Sequence, residues 1–329
     1  MTRAEINNVV GRRGTRDYDE PMNGRVIKIY GLYYLVQYGA GRVNCVLRGK
    51  LRTSPGVGAF SDPVAVGDLV EFELHGGDSG TIHEVLPRRG VFSRKEKGRN
   101  KREDIIASNV DQITVIQSFR RPGLNLRFVD RLSVRGASGG IPVVLVINKA
   151  DLADQDTVDY VEEYYANAPI DVIMVSALTG VNMEHLHEVF NDRTSLLVGY
   201  SGVGKSSILN RLYPGLDLRV AEVSESTGKG KHTTTNVEMV YCQGDTSIID
   251  TPGLREFGLM DIEPHLAGNY FYEFRELGKS CRFNPCTHDH EPGCEVKRLI
   301  EEGYIHEDRY DSYINILTDI RDSRERKYQ

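Results

Sequence analysis

The chain has no tryptophan, only five cysteines, and no apolar run near the roughly 20 residues that a bilayer-spanning helix needs. The missing apolar run argues against a helical membrane protein, and no signal-peptide pattern opens the sequence. An odd number of cysteines argues against a disulfide framework and for a reducing, cytoplasmic setting. Positive charge is not in excess either: 41 lysines and arginines face 47 acidic residues, for a net charge of −6. Any contact with nucleic acid must therefore come from local basic patches and not from the overall field. What remains is a globular composition, 40% hydrophobic and 27% charged, over 329 residues. That length accommodates about two or three domains.

Residues 1–20 carry Arg3, Arg12, Arg13 and Arg16 without an apolar period, and read as a flexible tail, with a basic arm for RNA as the alternative. From Gly24 the pattern becomes short β-branched and aromatic runs. Gly24–Tyr30, Leu32–Tyr38, Arg42–Leu47, Asp68–Leu74 and Thr81–Leu86 read as five strands, punctuated by glycines. The long connection, from Thr53 to Val66, comes after the third strand. This arrangement suits an all-β Greek-key barrel of the OB type. Tyr33, Tyr34, Tyr38 and Phe72 are candidates for stacking on bases, although aromatics in strands are more often core. Next, eight of the fifteen residues from Arg88 to Arg102 are basic. They form either a soluble linker or a contact for a phosphate backbone, and their density on an acidic chain favours the contact.

From Asp111 apolar strands alternate with helical stretches, which means a mostly parallel sheet covered on both faces. Expected strands are Gln112–Ser118, Pro142–Asn148, Asp171–Val175 and the run ending at Val198. Expected helices are Leu124–Ala137, Thr157–Asn167 and Met183–Phe190. After Val198 comes Gly199-Tyr200-Ser201-Gly202-Val203-Gly204-Lys205-Ser206, then Ser207 and a helical run. The spacing G-x-x-x-x-G-K-[ST] between a strand and a helix is that of a phosphate-binding P-loop. Its glycines let backbone N–H groups turn toward phosphate oxygens, and the helix N-terminus adds partial positive charge. Lys205 can reach the outer phosphates, and the Ser206 hydroxyl can ligate Mg²⁺.

Three further patterns stand at strand ends. Asn148-Lys149-Ala150-Asp151 is N-K-x-D: a carboxylate at Asp151 can accept from both the ring N–H and the exocyclic amine of guanine, a pair adenine lacks. Lys149 can lie over the base while Asn148 braces the loops. At Ser176-Ala177 a backbone N–H can meet the guanine carbonyl oxygen. Asp250-Thr251-Pro252-Gly253 gives D-x-x-G, with Asp250 on Mg²⁺ and the Gly253 N–H sensing the γ-phosphate. Between the P-loop and D-x-x-G, His232-Thr233-Thr234-Thr235 ends the candidate first switch; Thr234 is the favoured Mg²⁺ ligand, with Thr233 and Thr235 open. Ordinary GTPases run P-loop, switch threonine, D-x-x-G, N-K-x-D, S-A. Here the last two come first, so the order is circularly permuted, and the second switch runs straight into the C-terminal region. Leu254 stands where Ras-like enzymes place the glutamine that orients water, which leaves His232 as a candidate catalytic group beside Lys205 and Thr234.

Cys281-x4-Cys286-x-His288-x5-Cys294 collects three thiols and an imidazole, the donor set of a closed structural Zn²⁺ site, with His290 as a competing ligand. Cys45 and Cys242 lie in expected strands and read as core thiols. Helices are expected at Tyr270–Leu277, Cys294–Glu302 and Glu307–Arg321, with a charged tail at Arg321–Gln329.

An OB-like barrel, N-K-x-D ahead of the P-loop, the Gly228-to-Thr235 switch and the Cys₃His spacing together resemble the RsgA family, also called YjeQ or YloQ. The resemblance spans nearly the whole chain. It implies a cytoplasmic, monomeric, circularly permuted GTPase that binds the 30S subunit through 16S rRNA, is stimulated by it, and acts late in its maturation. It carries the nucleotide roles to Asn148, Lys149, Asp151 and the P-loop, and zinc to Cys281, Cys286, His288 and Cys294. It also places His232 near the catalytic centre. The expected division is a tail at 1–20, an OB-type barrel at 21–95, a permuted α/β GTPase domain at 96–262 and a helical zinc domain at 263–329. Two rival readings are an RNA-binding switch whose hydrolysis matters little, and a permuted GTPase of the large subunit or of membranes. The absence of an apolar helix counts against membranes.

Overall fold

The computed structural model describes residues 21–53, 63–75, 78–95, 103–216, 237–251, 259 and 262–328. The first five strands are β1 (Met22–Tyr30), β2 (Tyr33–Tyr38), β3 (Gly41–Thr53), β4 (Leu69–His75) and β5 (Ser79–Val85). Neighbours β1–β2, β2–β3 and β4–β5 pair antiparallel, β3 runs parallel to β5, and β1 pairs with β4 to close the barrel. Closure of this OB type leaves no free edge within the barrel. Val26, Val36, Val43, Val70, Phe72 and Ile82 fill it. Phe72 is therefore core and not a stacking platform. Tyr33 stands outside, 52% exposed, with its ring stacked on Tyr30 at 6.1 Å. The third strand outruns its expected end at Leu47: it continues along β5 after a register shift between Leu47 and Arg52, at a point where the sequence loses its alternation.

The basic stretch after the barrel is not a single patch. Arg88 is buried and grips Asp68 with a fork, Nε to Oδ1 at 2.7 Å and a terminal nitrogen to Oδ2 at 2.6 Å. The same carboxylate accepts from the Ala65 N–H at 2.7 Å and from Ser108 Oγ at 2.5 Å. A planar guanidinium facing a carboxylate satisfies both charges where water is excluded, so Arg88 is withdrawn from any phosphate. Further on, β6 (Phe92–Lys95) forms a hairpin with β7 (Glu103–Ala107), which the charged sequence does not announce. Residues 96–102 lie outside the described residues.

The α/β half then begins: β8 (Gln112–Ser118), α1 (Leu126–Ser138), β9 (Val143–Asn148), α2 (Gln155–Tyr165), β10 (Asp171–Met174), α3 (Met183–Phe190), β11 (Thr194–Val198), α4 (Lys205–Leu212), β12 (Glu238–Tyr241) and β13 (Ser247–Asp250). In space the strands run β10-β9-β8-β11-β13-β12, parallel except for β12. Alternate residues serve opposite faces. Val143, Leu145 and Ile147 pack toward α1, whereas Val144 and Val146 pack toward α3 and α4. With both faces buried the strands read as unbroken apolar runs, which is why they are legible in the sequence. Asn125 caps α1 through the Phe128 N–H at 3.0 Å, and Asp154 caps α2 through the Thr157 N–H at 2.9 Å. The edge strand β12, four residues and mostly half-exposed, carries no such signal. It also meets the barrel: Lys28 of β1 lies opposite Glu238, with Nζ and Oε2 2.7 Å apart.

The C-terminal module is a 3-10 helix (Pro264–Tyr270), α5 (Tyr272–Leu277), α6 (Glu295–Glu301) and α7 (Glu307–Tyr328). The expected charged tail is helical through Tyr328, and Arg324 pairs with Glu263 there. Arg309 of α7 is buried between Glu273, at 2.5 Å, and Asp130 of α1, which also accepts the Tyr164 hydroxyl at 2.5 Å and the Tyr165 hydroxyl at 3.1 Å. Removing one member of such a triad leaves a buried charge unpaired, a cost of about 3–5 kcal/mol. The module is thus locked onto α1 and α2.

Candidate functional site

Register decides what meets at the carboxyl edge of the sheet. Ser118 lies beside Asn148, Ile147 beside Met174, Val115 beside Val198 and Leu197 beside Asp250. The five parallel strands point their carboxyl ends the same way, with β11 and β13 stopping short of β8 and β9. The loops at Asn148, Ser176, Gly199 and Asp250 therefore open on one edge of the sheet, the usual ligand position in such sheets.

The P-loop occupies its centre. Gly202 and Gly204 have φ of 85° and 96°, which favour glycine. A Cβ on Gly204 would lie 2.2 Å from the Asn148 side-chain nitrogen, and one on Gly199 would lie 2.4 Å from the Ile116 carbonyl. Val203 is fully buried and pins the loop to the core below. Lys205 Nζ donates to the Gly199 and Tyr200 carbonyls at 2.8 and 3.2 Å, which holds the ammonium above the cradle. The Tyr200 ring packs 4.8 Å from Phe128. Ser206 is half-buried in the first turn of α4, while Ser201 and Ser207 face solvent.

On the other side, Asn148 bridges two loops: its Nδ2 donates to the Val203 carbonyl at 2.9 Å, and its Oδ1 accepts the Ala177 N–H at 3.1 Å. Lys149, left-handed at φ 62°, donates to the carbonyls of Gly202 at 2.8 Å, Arg120 at 3.1 Å and Arg121. Partial burial and the Arg121 charge lower its pKa, with Asp151 opposing. Ser176 Oγ donates to Asp151 Oδ1 and accepts the Thr179 N–H at 3.1 Å, so the hydroxyl fixes the carboxylate and the loop together.

Asp250 closes the crevice beside Lys205. Its Oδ1 is buried with no hydrogen-bond partner among the described residues. Burial pushes the carboxyl above the ordinary carboxylate range, and Lys205 opposes the shift. An orphaned carboxylate oxygen next to a phosphate cradle fits an Mg²⁺ shell, which supplies the missing positive charge. Gly253, Leu254, His232 and Thr233 to Thr235, including Thr234, lie outside the described residues. The orphaned oxygen has a measurable consequence. Because its folded pKa is raised, ionised Asp250 opposes folding once pH exceeds that pKa, and the penalty vanishes as pH falls through the unfolded value. Asp250→Asn is therefore expected to stabilise the nucleotide-free protein at pH 7.5 by about 1 kcal/mol, and to lose that gain toward pH 4. Thermal melts at both pH values check this; an unchanged or lower midpoint at pH 7.5 counts against it.

At the C-terminal module the side chains of Cys281, Cys286, His288 and Cys294 offer ligand atoms all within 4.8 Å of one another. His288 Nδ1 lies 3.6 Å from Cys281 Sγ and 3.4 Å from Cys294 Sγ, and those two sulfurs are 4.0 Å apart. A tetrahedral shell with metal–sulfur bonds near 2.3 Å sets ligand separations of about 3.5–4 Å, so the cluster could hold a metal. His290 points away, its side chain 75% exposed and 3.6 Å from Asp289, so it is outside the cluster. Two tyrosines of α7 fasten the loop: Tyr310 donates to the His288 carbonyl at 2.8 Å and Tyr313 to the Thr287 carbonyl at 2.6 Å. Burial pushes the Cys45 and Cys242 thiols up to about 12, as for inert core thiols. Sequence reasoning missed the fastening tyrosines, Arg120 and Arg121 beneath Lys149, and Arg211 of α4, which donates to the Ala177 carbonyl at 2.9 Å. The only signal for Arg211 is a basic residue in a helical last turn.

Known proteins match this arrangement. The model of the RsgA GTPase family covers residues 85–260, and that of the RsgA N-terminal domain covers residues 23–82. The small ribosomal subunit biogenesis GTPase RsgA of Bacteroides fragilis is 37% identical over 312 residues, 94% of this chain and 99% of that one. The protein of the same name from Chlorobaculum parvum is 40% identical over 311 residues, 91% and 98% of the two chains. The crystal structure of YjeQ from Thermotoga maritima superimposes with a TM-score of 0.72 at 31% identity, covering 92% of this chain and 99% of that one. That of YloQ, a circularly permuted GTPase, gives 0.71 at 27% identity, covering 94% and 98%. Barrel, permuted nucleotide sheet and cysteine cluster thus stand in a chain that matches these relatives almost end to end, and the chain belongs to the RsgA family of GTPases.

Proposed function

We propose that the chain binds the 30S ribosomal subunit through 16S rRNA and hydrolyses GTP to GDP late in the maturation of that particle, in the cytoplasm and as a monomer. The relatives named as small-subunit biogenesis GTPases support the partner. One observation on this chain carries the switching part of the reading. Leu259 and Ile262, just beyond D-x-x-G, are each 3% exposed and belong to the core that holds Phe271 and Phe274 of the C-terminal module. Permutation leaves only a few residues between the γ-phosphate sensor and that core. A change of nucleotide is relayed from the second switch to the metal-binding helices, and with them to the particle.

Each group then has a role. Asp151, oriented by Ser176, selects guanine; Asn148 and Lys149 tie the base loops to the P-loop; the backbone from Gly199 to Ser207 and the Lys205 ammonium take the phosphates. Ser206, Thr234 and Asp250 hold Mg²⁺, which neutralises the phosphate charge. His232 aligns the water in place of the glutamine absent at Leu254, so hydrolysis is slow until the particle stimulates it. Three thiolates and an imidazole favour Zn²⁺ in the C-terminal cluster. The working division is a tail at 1–20, a barrel at 21–95, the nucleotide domain at 96–262 and the metal domain at 263–329.

Turnover of GTP with and without purified 30S and 50S particles tests the proposal. We expect stimulation of at least tenfold by 30S and none by 50S. Equal rates in all three reactions would sink it.

A further inference from the structure

Asn148 to Asp151 and Ser176-Ala177 form the base loops of the proposed GTP site, and the role inferred below for Arg211 rests on that reading. Arg211 is bonded into these loops from outside them. It lies in the last turn of α4, the helix that begins with Lys205 and Ser206. Its Nη1 donates to two consecutive carbonyls, Ala177 at 2.9 Å and Leu178 at 3.0 Å. Neither carbonyl belongs to a strand or a helix, so no ladder fixes them. Gly180 makes room for the guanidinium: its φ is +97°, and a Cβ there would lie 2.4 Å from the other terminal nitrogen of Arg211.

The same short loop is held from its opposite side. Asn148 Oδ1 accepts the Ala177 N–H at 3.1 Å while Asn148 Nδ2 reaches the P-loop carbonyl of Val203 at 2.9 Å. Both grips lead back to the phosphate-binding unit, one through the P-loop backbone and one through the helix that continues it. With the Ala177 N–H taken by Asn148, the next N–H in the loop is that of Leu178, which has no partner among the described residues. In a trans peptide the C=O and the following N–H point in opposite directions. Capture of the Ala177 carbonyl by Arg211 therefore sets the direction of the Leu178 N–H.

We infer that Arg211 is a positioning residue for purine recognition: it fixes the Ala177–Leu178 peptide so that the Leu178 N–H meets the guanine carbonyl oxygen, and it ties that contact to the phosphate-binding helix. A bland role for Arg211, favourable placement at the C-terminal end of its own helix, accounts for neither bond, since both acceptors lie on another loop. Arginine suits the task because its planar fork can serve two carbonyls at once, which an ammonium serves less well.

The test uses the full-length protein and two nucleotides, GTP and 2-aminopurine riboside triphosphate. The base of the second keeps the exocyclic amine but lacks the carbonyl oxygen and, with it, the proton on the adjacent ring nitrogen, so it binds weakly but cannot report a contact to that oxygen. Competition binding is measured for wild type, Arg211→Ala and Arg211→Lys. Arg211→Ala is expected to weaken GTP about tenfold, the value of one well-placed hydrogen bond, and to leave the oxygen-free analogue nearly unchanged, so the preference for GTP falls by the same factor. Arg211→Lys should fall between the two. Equal weakening of both nucleotides, or no change in either, would overturn the inference. Asp151→Asn serves as the control on the underlying reading, because an amide there can donate to the second carbonyl of xanthine. If that variant gains no preference for xanthosine triphosphate, the base loops themselves are misassigned, a failure distinct from that of Arg211.

Discussion

GTP turnover by the Lys205→Ala variant is expected to fall by about a hundredfold to a thousandfold at saturating nucleotide, the usual effect of deleting one donor that stabilises transition-state charge. The effect originates in the loop. Lys205 is held by the carbonyls of Gly199 and Tyr200, above the P-loop and next to Asp250, whose electrostatic environment it shapes. A fixed cation at that place does not have to reorganise when charge builds on the phosphoryl oxygens. Alanine leaves the backbone cradle intact, so binding should weaken less than hydrolysis. Single-turnover hydrolysis with and without 30S particles, alongside binding of a fluorescent GDP, separates the two effects. Turnover within threefold of wild type would remove Lys205 from the chemistry.

The second large effect concerns the cysteine cluster. Stripping a bound metal with a chelator, or replacing Cys294 with alanine, is expected to cost on the order of 5 kcal/mol and to lower the thermal midpoint by about 10–20 °C. Cys294 is buried at the N-terminus of α6, and the loop it closes is tied to α7 through Tyr310 and Tyr313. Without a cation, three thiols and an imidazole crowd together with nothing to offset their burial. Burial and the neighbouring Cys294 and Cys281 push the Cys286 thiol up to about 12, the reverse of what a ligand needs, and a bound cation reverses that shift. Hydrogen exchange should rise across residues 262–328 first. Elemental analysis that finds no stoichiometric metal, with a midpoint indifferent to chelator, would remove the site.

Much of this architecture was legible because the chemistry of nucleotide binding is tied to backbone form. Gly204 must be glycine for the Asn148 amide to approach, and N-K-x-D must stand at the end of a buried strand for that amide to reach the P-loop. Such constraints write themselves into short, spaced patterns. The barrel was legible for another reason, since alternating residues record which face is inward. What stayed hidden was set by partners distant in sequence. Arg88 read as part of a basic contact for a phosphate backbone because Asp68, twenty residues earlier, gives no local sign of being its buried mate. Arg309 and Asp130 are 179 residues apart, and Arg211 reaches a loop 34 residues upstream. A strand was expected at Cys242, but the bounds of the edge strand β12, which ends at Tyr241, were not legible because largely half-exposed residues in a run of four show no periodicity. Sequence pattern reports local geometry well and pairing across the chain poorly.

The pairing of Lys28 with Glu238 has one more implication. A sheet that ends in an unpaired strand offers its free amides and carbonyls to any extended peptide, including a second copy of itself. Here β12 is that last strand, and the barrel's β1 lies along its outer side at this point. The barrel thus works as an edge guard as well as a domain in its own right. Cutting it away would not simply yield a smaller enzyme; it would uncover a template for self-association. Stickiness in a shortened chain would then report a lost neighbour, not a misfolded nucleotide site.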